Sequence, residues 1–215
     1  MLRLYTYFRS SAAYRVRIAL NLKGLPYEAI PVNLLRDGGA QHGAEFWQRN
    51  PARLVPVLQH DALTLTQSLA IIEYLEEIQP TPRLLPQDVA GRARVRALAL
   101  SIACDIHPLN NLRVLRYLKS PLALPEETRT AWSHHWISLG LSAIERTLAE
   151  RTTIANCCFG DAPTVADCCL IPQVFNAQRI NCPLDEFPRI VRIYQYCTSL
   201  DAFQRAAPGA QPDAE

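Results

Sequence analysis

Three prolines crowd into Pro80-Thr81-Pro82-Arg83-Leu84-Leu85-Pro86, and they divide the chain into two stretches of different periodicity. Each pyrrolidine ring fixes φ and removes an amide donor, so no helix or central strand runs through the segment. Before it, short stretches alternate between a period of two and a period near 3.6. After it only the helical period recurs, without internal repeats. The 215 residues suffice for two small domains. We therefore expect a mixed α/β domain over residues 1–80, a stiff connector over 81–87 and an all-helical domain over 88–215.

Residues 2–7 alternate apolar and polar side chains, and residues 12–23 place Val16, Ala19, Leu20 and Lys23 at helical spacing before Gly24, a residue suited to a left-handed helix end. Residues 27–32 read as a second strand, 44–48 as a short helix stopped by Asn50-Pro51, 55–58 and 63–65 as two brief strands, and 68–78 as a helix. Strand, helix, strand, helix, two strands, helix is the order of the thioredoxin-like fold, in which ligands sit near strand ends and helix N-termini. Beyond the connector, residues 89–106, 110–119, 126–150, 164–179 and 190–200 predict helices.

Lys plus Arg at 22 against Asp plus Glu at 20 leaves a net charge of +2, too even for a nucleic-acid or anionic-membrane surface, so a small neutral or anionic ligand is expected. Charges interrupt every apolar run well short of the ~18 residues of a membrane span. Seven cysteines are an odd set in a chain too large to depend on disulfides, and Met1-Leu2-Arg3-Leu4-Tyr5-Thr6-Tyr7 lacks a signal-peptide apolar run. The expectation is a reduced, cytoplasmic protein. The adjacent pairs Cys157-Cys158 and Cys168-Cys169 do not match zinc-ligand spacing and read as buried apolar thiols, with no metal.

Ser10-Ser11 directly precedes the first helix, where hydroxyls cap backbone amides and the helix dipole adds roughly half a positive charge. Simple capping accounts for such a pair. Arg9 before it and Arg15 and Arg17 after it add a cationic neighbourhood suited to a thiolate or carboxylate, which makes Ser10, Ser11 and Arg15 candidates for catalysis. Val55-Pro56 reads either as an ordinary strand start or as a free edge on which an extended peptide pairs. Gln67-Ser68 opens the next helix as a cap or as a seat for a carboxylate. Three anion-friendly points on one small domain are what a short acidic peptide with a thiol needs.

In the second domain Pro108 interrupts a helical run, and His107 and Asn111, four residues apart, are expected on one face beside Asn110 and Arg113. The alternative for His107 is a packed or solvent-facing residue. Thr164-Val165-Ala166-Asp167 has the capping-box pattern, a structural device.

Together these residues resemble the zeta class of soluble glutathione transferases, which includes the maleylacetoacetate and maleylpyruvate isomerases. Ser10-Ser11-Ala12-Ala13-Tyr14-Arg15-Val16-Arg17-Ile18-Ala19-Leu20 is similar to the class signature Ser-Ser-Cys-x-x-Arg-Val-Arg-Ile-Ala-Leu, with Ala12 where the signature has cysteine. Gln67-Ser68-Leu69-Ala70-Ile71-Ile72-Glu73-Tyr74-Leu75-Glu76-Glu77, the proline connector and Pro172-Gln173-Val174 extend the likeness through both domains. The resemblance implies soluble glutathione transferase architecture and a homodimer. It also implies Ser10 and Ser11 at the glutathione sulfur, Gln41 and Val55 along the tripeptide backbone, Gln67 and Ser68 at its γ-glutamyl end, His107 and Asn111 also at the cofactor, and a cis bond before Pro56.

The implied activity is cis–trans isomerisation of maleylacetoacetate to fumarylacetoacetate in aromatic amino-acid catabolism. Open alternatives are maleylpyruvate isomerisation, general conjugation of glutathione to electrophiles, and a non-catalytic dimerisation module. Isomerisation proceeds by thiolate addition, bond rotation and elimination. Lowering a thiol pKa from ~8.5 to ~6.5 requires ~2.7 kcal/mol. A helix terminus supplies ~0.3–1 and a charge-assisted hydrogen bond ~1.5–3 kcal/mol, so one serine with the helix suffices. The dicarboxylate substrate calls for arginines, for which Arg9, Arg113 and Arg179 are the candidates, with surface solubility as the plain alternative.

Overall fold

Strand β1 (Leu2–Thr6) pairs in parallel with β2 (Tyr27–Pro31) and antiparallel with β3 (Val57–His60), which pairs antiparallel with β4 (Leu63–Thr66), giving the order β2-β1-β3-β4. The parallel neighbour needs a crossover, and α1 (Ser11–Leu22) supplies it. This computed structural model describes residues 1–150 and 155–215, in two units: Met1–Leu84 with Ser199–Glu215, and Leu85–Thr198.

In the first unit Leu4 and Leu58 face each other across β1 and β3 and are fully buried, as are Val16, Ile18 and Leu20 of α1 and Ile71, Ile72 and Leu75 of α3 (Ser68–Ile78). Each such side chain contributes roughly 1.5–3 kcal/mol. Two 3₁₀ turns, Arg36–Gly38 and Ala40–His42, lead into the short α2 (Ala44–Arg49). The first unit also buries charge. Lys23 pairs with Glu76 and donates to Pro82 O at 2.6 Å, while Glu76 accepts from Leu84 N at 3.0 Å, so the ion pair fastens α1, α3 and the connector.

Residues 199–215, expected with the helical domain, pack instead with the sheet unit. Asn21 Nδ2 of α1 donates to Ala202 O at 2.9 Å and Arg17 Nε to Ala206 O at 2.9 Å, which docks α9 (Asp201–Ala206) with Phe203 and Ala206 buried.

The second unit contains α4 (Val89–Leu100), α5 (Leu112–Lys119), α6 (Glu126–Ala149), α7 (Val165–Arg179) and all but the last residue of α8 (Pro188–Ser199). The helix expected over 89–106 ends at Leu100. Ser101–Ile106 widens into a π turn and His107–Asn110 tightens into a 3₁₀ turn, because Pro108 denies the preceding turn a regular hydrogen bond. Helix α7 is buried on most sides and starts as its sequence indicated, with Thr164 N and Oγ1 donating to Asp167 Oδ2 at 2.7 and 2.8 Å. Asp167 Oδ1 accepts from Cys158 N at 2.7 Å. Sulfur atoms of Cys157 and Cys197 lie within 4.8 Å of that carboxylate and of each other. Burial pushes the Asp167 carboxyl up, and the contact with Cys157 together with burial pushes the Cys197 thiol up. The cysteines of both adjacent pairs are buried, while Cys104 is exposed. Among the described residues no helix is long and apolar enough to cross a membrane.

Candidate functional site

The chain leaves β1 at Thr6 and turns over Tyr7–Ser10, a turn closed by Ser10 N donating to Tyr7 O at 2.9 Å. Ser10 is then the N-cap of α1: its φ and ψ of −69° and 113° are extended, and its Oγ accepts from Ala13 N at 3.2 Å. Accepting that bond leaves the hydroxyl proton to donate towards an anion. Ser11 is the first helical residue and is buried. The first turn of α1 carries no acidic residue, so none of its own side chains neutralises the positive helix end.

One apolar cluster underlies this turn. Tyr7 and Phe8 are buried in it with Tyr5, Val32, Phe46, Val55 and Val57, and Ile30 and Leu34 pack against it. It therefore fixes the serine turn, the segment leading to Gln41 and the start of β3 against each other. The Val55–Pro56 bond is cis, as the resemblance implied. Gln41 is buried at 4% exposure, with its Nε2 3.5 Å from Leu34 O and no protein partner for Oε1 among the described residues. A buried carbonyl oxygen without a donor costs about 1–3 kcal/mol, and an amide N–H from a peptide ligand would satisfy it.

At the start of α3, Gln67 adopts φ 68° and ψ 113°, a left-handed conformation costing about 1–3 kcal/mol in a non-glycine residue. Strain of this kind persists where a site over-determines it. Ser68 follows as the first helical residue, buried, and its Oγ accepts from Arg15 NH1 at 3.2 Å. Arg15 was expected in the chemistry at the serine pair. The structure joins its guanidinium to Ser68 instead, because Arg15 is a buried side chain of α1 where that helix packs on α3. A buried cation and a helix N-terminus together suit a carboxylate.

Arg9 is exposed and folds back over its neighbours, with its guanidinium carbon 4.9 Å from the Phe8 ring centroid and NH2 donating to Tyr7 OH at 3.2 Å. Arg17, which the sequence placed in the cationic neighbourhood of the serine pair, is 0% exposed. It donates to Thr6 Oγ1 at 2.9 Å, Tyr7 O at 3.3 Å and Phe8 O at 2.9 Å, and burial lowers its pKa to about 10. Its place after the serine pair was legible in the sequence, whereas its burial on the apolar face of α1 was not.

In the helical unit, His107 and Asn111 do not share a helical face. His107 opens the 3₁₀ turn, whereas Asn111, at φ −67° and ψ 146°, is the N-cap of α5 and accepts from Arg113 N at 3.1 Å. The i, i+4 expectation fails because Pro108 ends one helical segment before the next begins. Both residues are half-buried, and Asn110 Nδ2 donates to Ile106 O at 3.1 Å. Arg113 and Arg179 are exposed, with Arg179 NH2 donating to Asn176 Oδ1 at 2.9 Å.

Residues 4–83 match the glutathione S-transferase N-terminal domain family. A probable maleylacetoacetate isomerase of Vibrio cholerae is 51% identical over 211 residues, spanning 98% of this chain and 97% of that protein. A holo structure described as maleylpyruvate isomerase, a bacterial glutathione S-transferase of the zeta class, is 48% identical with a TM-score of 0.96 over 99% of this chain and 100% of its own. A maleylacetoacetate isomerase from Anaeromyxobacter dehalogenans, with dicarboxyethyl glutathione and citrate in its active site, is 43% identical with a TM-score of 0.87 over 100% of this chain and 98% of its own.

Proposed function

We propose that this chain, which belongs to the zeta class of the glutathione S-transferase family, is a glutathione-dependent cis–trans isomerase of a maleyl dicarboxylate, converting maleylacetoacetate to fumarylacetoacetate. The observation that carries the reading is Ser10: a hydroxyl at the un-neutralised N-terminus of α1, in a chain half identical over nearly its whole length to a probable maleylacetoacetate isomerase.

The first unit fits the tripeptide on its own features. Gln41 Oε1 has no donor among the described residues, Gln67 is held in a left-handed conformation, and the N-termini of α1 and α3 are flanked by Arg17 and Arg15. Bound glutathione supplies a nucleophilic sulfur whose reversible addition turns the substrate double bond into a single bond about which rotation is free. Ser10 Oγ–H donates a hydrogen bond to that sulfur and keeps its proton, with Ser11 beside it. Gln41 and the Val55 backbone hold the peptide, and Gln67, Ser68 and Arg15 hold the γ-glutamyl carboxylate. His107 and Asn111 are assigned to cofactor binding, and Arg9, Arg113 and Arg179 to the carboxylates of the substrate. The protein acts as a homodimer in the cytoplasm. Ala12, where the class signature has cysteine, leaves glutathione as the source of the thiol at this position.

Maleylpyruvate isomerisation is the second reading, supported by the holo structure at 48% identity. A spectroscopic assay of maleylacetoacetate, maleylpyruvate and a generic aryl halide, each with glutathione, distinguishes them. Isomerisation of the first supports the proposal, isomerisation of only the second moves the substrate, and conjugation without isomerisation sinks both.

A further inference from the structure

The turn that presents Ser10 is held by a residue from the far end of the chain. Phe8 N donates to Asp213 Oδ2 at 3.0 Å across a separation of 205 positions. The carbonyl of the same residue accepts from Arg17 NH2, and Tyr7 O accepts both Ser10 N and Arg17 NH1. Phe8 is thus gripped by Asp213 on its amide side and by Arg17 on its carbonyl side. The tail that carries Asp213 is itself ordered by internal bonds: Gln211 Nε2 donates to Arg205 O at 2.8 Å and Ala207 O at 2.9 Å, and Ala214 N to Gln211 O at 3.0 Å.

Two residues further on, Glu215 accepts from Arg36 NH2 at 3.0 Å and Asn33 Nδ2 at 3.3 Å. Those residues belong to the segment that ends at Gln41, since Asn33 O accepts from Ala40 N at 2.7 Å. The C-terminal tail therefore touches both of the loops assigned to glutathione, the serine turn firmly and the Gln41 segment through an exposed ion pair.

We propose that the C-terminal tail is a strap on the glutathione site, with Asp213 as a positioning residue that sets the Ser10 hydroxyl against the sulfur through the Phe8 amide. The inference rests on the reading of this unit as the glutathione site. Without Asp213 the serine turn keeps its cap and its Arg17 bonds but loses the anchor on its outer side. Ser10 Oγ then samples positions that serve Ala13 N but not a bound sulfur.

The test uses the full chain, Asp213→Ala, Asp213→Asn and a chain ending at Pro212. Ultraviolet absorbance of the thiolate of bound glutathione is followed against pH, with glutathione Kd by calorimetry and Tm in parallel. Asp213→Ala and the shortened chain are expected to raise the bound thiol pKa and to weaken glutathione binding by roughly 3- to 10-fold. Asp213→Asn, whose carbonyl still accepts from Phe8 N, restores both. A structural role alone lowers Tm without moving the thiol pKa of the folded fraction, and that result overturns the strap. If Asp213→Ala does not fold, the shortened chain and Asp213→Asn carry the comparison. A wild-type protein that binds no glutathione overturns the site reading and the strap together, whereas wild-type binding with unchanged variants overturns the strap only.

Discussion

The proposed function gives Ser10 two separable duties, and substitution parts them. Its Oγ accepts from Ala13 N at 3.2 Å, so Ser10→Ala removes an N-cap, at a cost of about 1 kcal/mol, or roughly 2–4 °C in Tm for a chain of this size. The same change removes the hydrogen bond assigned to the glutathione sulfur. A charge-assisted hydrogen bond of ~1.5–3 kcal/mol corresponds to ~1.1–2.2 pKa units. A bound thiol near ~6.5 then moves to ~7.6–8.7, and the thiolate fraction at pH 7 falls from about three quarters to between about 20% and 2%. The isomerisation rate at neutral pH should fall roughly 4- to 40-fold and recover as pH is raised above the new value. Ser10→Asp keeps the cap, because aspartate is as good an N-cap as serine, but offers no proton and adds negative charge. It should retain Tm while shifting the pH–rate profile upward at least as far as alanine does. The assay is kcat against pH for the three proteins, with thiolate absorbance of bound glutathione as the direct readout. If Ser10→Ala lowers Tm while its pH profile overlays the wild type, the hydroxyl is a cap and nothing more.

Gly39 sits at φ +103°, and a Cβ there would lie 2.4 Å from Gln41 Oε1. Gly39→Ala should displace that amide and raise KM for glutathione several-fold with a smaller change in kcat, as steady-state kinetics at saturating substrate would show. Lys23→Met strands the buried Glu76 carboxylate and should cost about 3–5 kcal/mol, read as the change in urea unfolding free energy. Adding Glu76→Gln should return part of it. Asp167 has its carboxyl raised above 3.8 by burial. The folded state therefore holds a proton where the unfolded chain has lost it. The resulting penalty is absent below about pH 3.8 and is fully in place above the raised folded-state value. The stability of Asp167→Asn relative to wild type should accordingly improve as pH rises through that window, whatever the constant loss from the weakened cap, and urea midpoints from about pH 4 to 7 measure it.

The strands and helices of the first unit were legible because alternation, a glycine stop after Leu22 and the serine cap all agree locally. What lay outside sequence reasoning was long-range. Helix α9 is six residues with two buried side chains, too short for a periodic signal, and its place depends on Asn21 and Arg17. Arg17, Lys23 and Glu76 are charged residues in the core, and the ordinary expectation puts such residues in water. Pro108 was legible as a break in the helical run, but His107 and Asn111, expected on one face, fall in a 3₁₀ turn and a separate cap. Arg15 was legible as a cation near the first helix but not as the partner of Ser68, fifty-three positions away.

In the proposed isomerase, glutathione is used and returned at the Ser10 end of α1. The direct measurement is the number of maleylacetoacetate molecules isomerised per glutathione, with total free thiol followed in the same cuvette. We expect many turnovers on sub-stoichiometric glutathione, a rate proportional to bound glutathione, and constant thiol. Loss of one thiol per substrate consumed, or isomerisation that proceeds unchanged without glutathione, would contradict it.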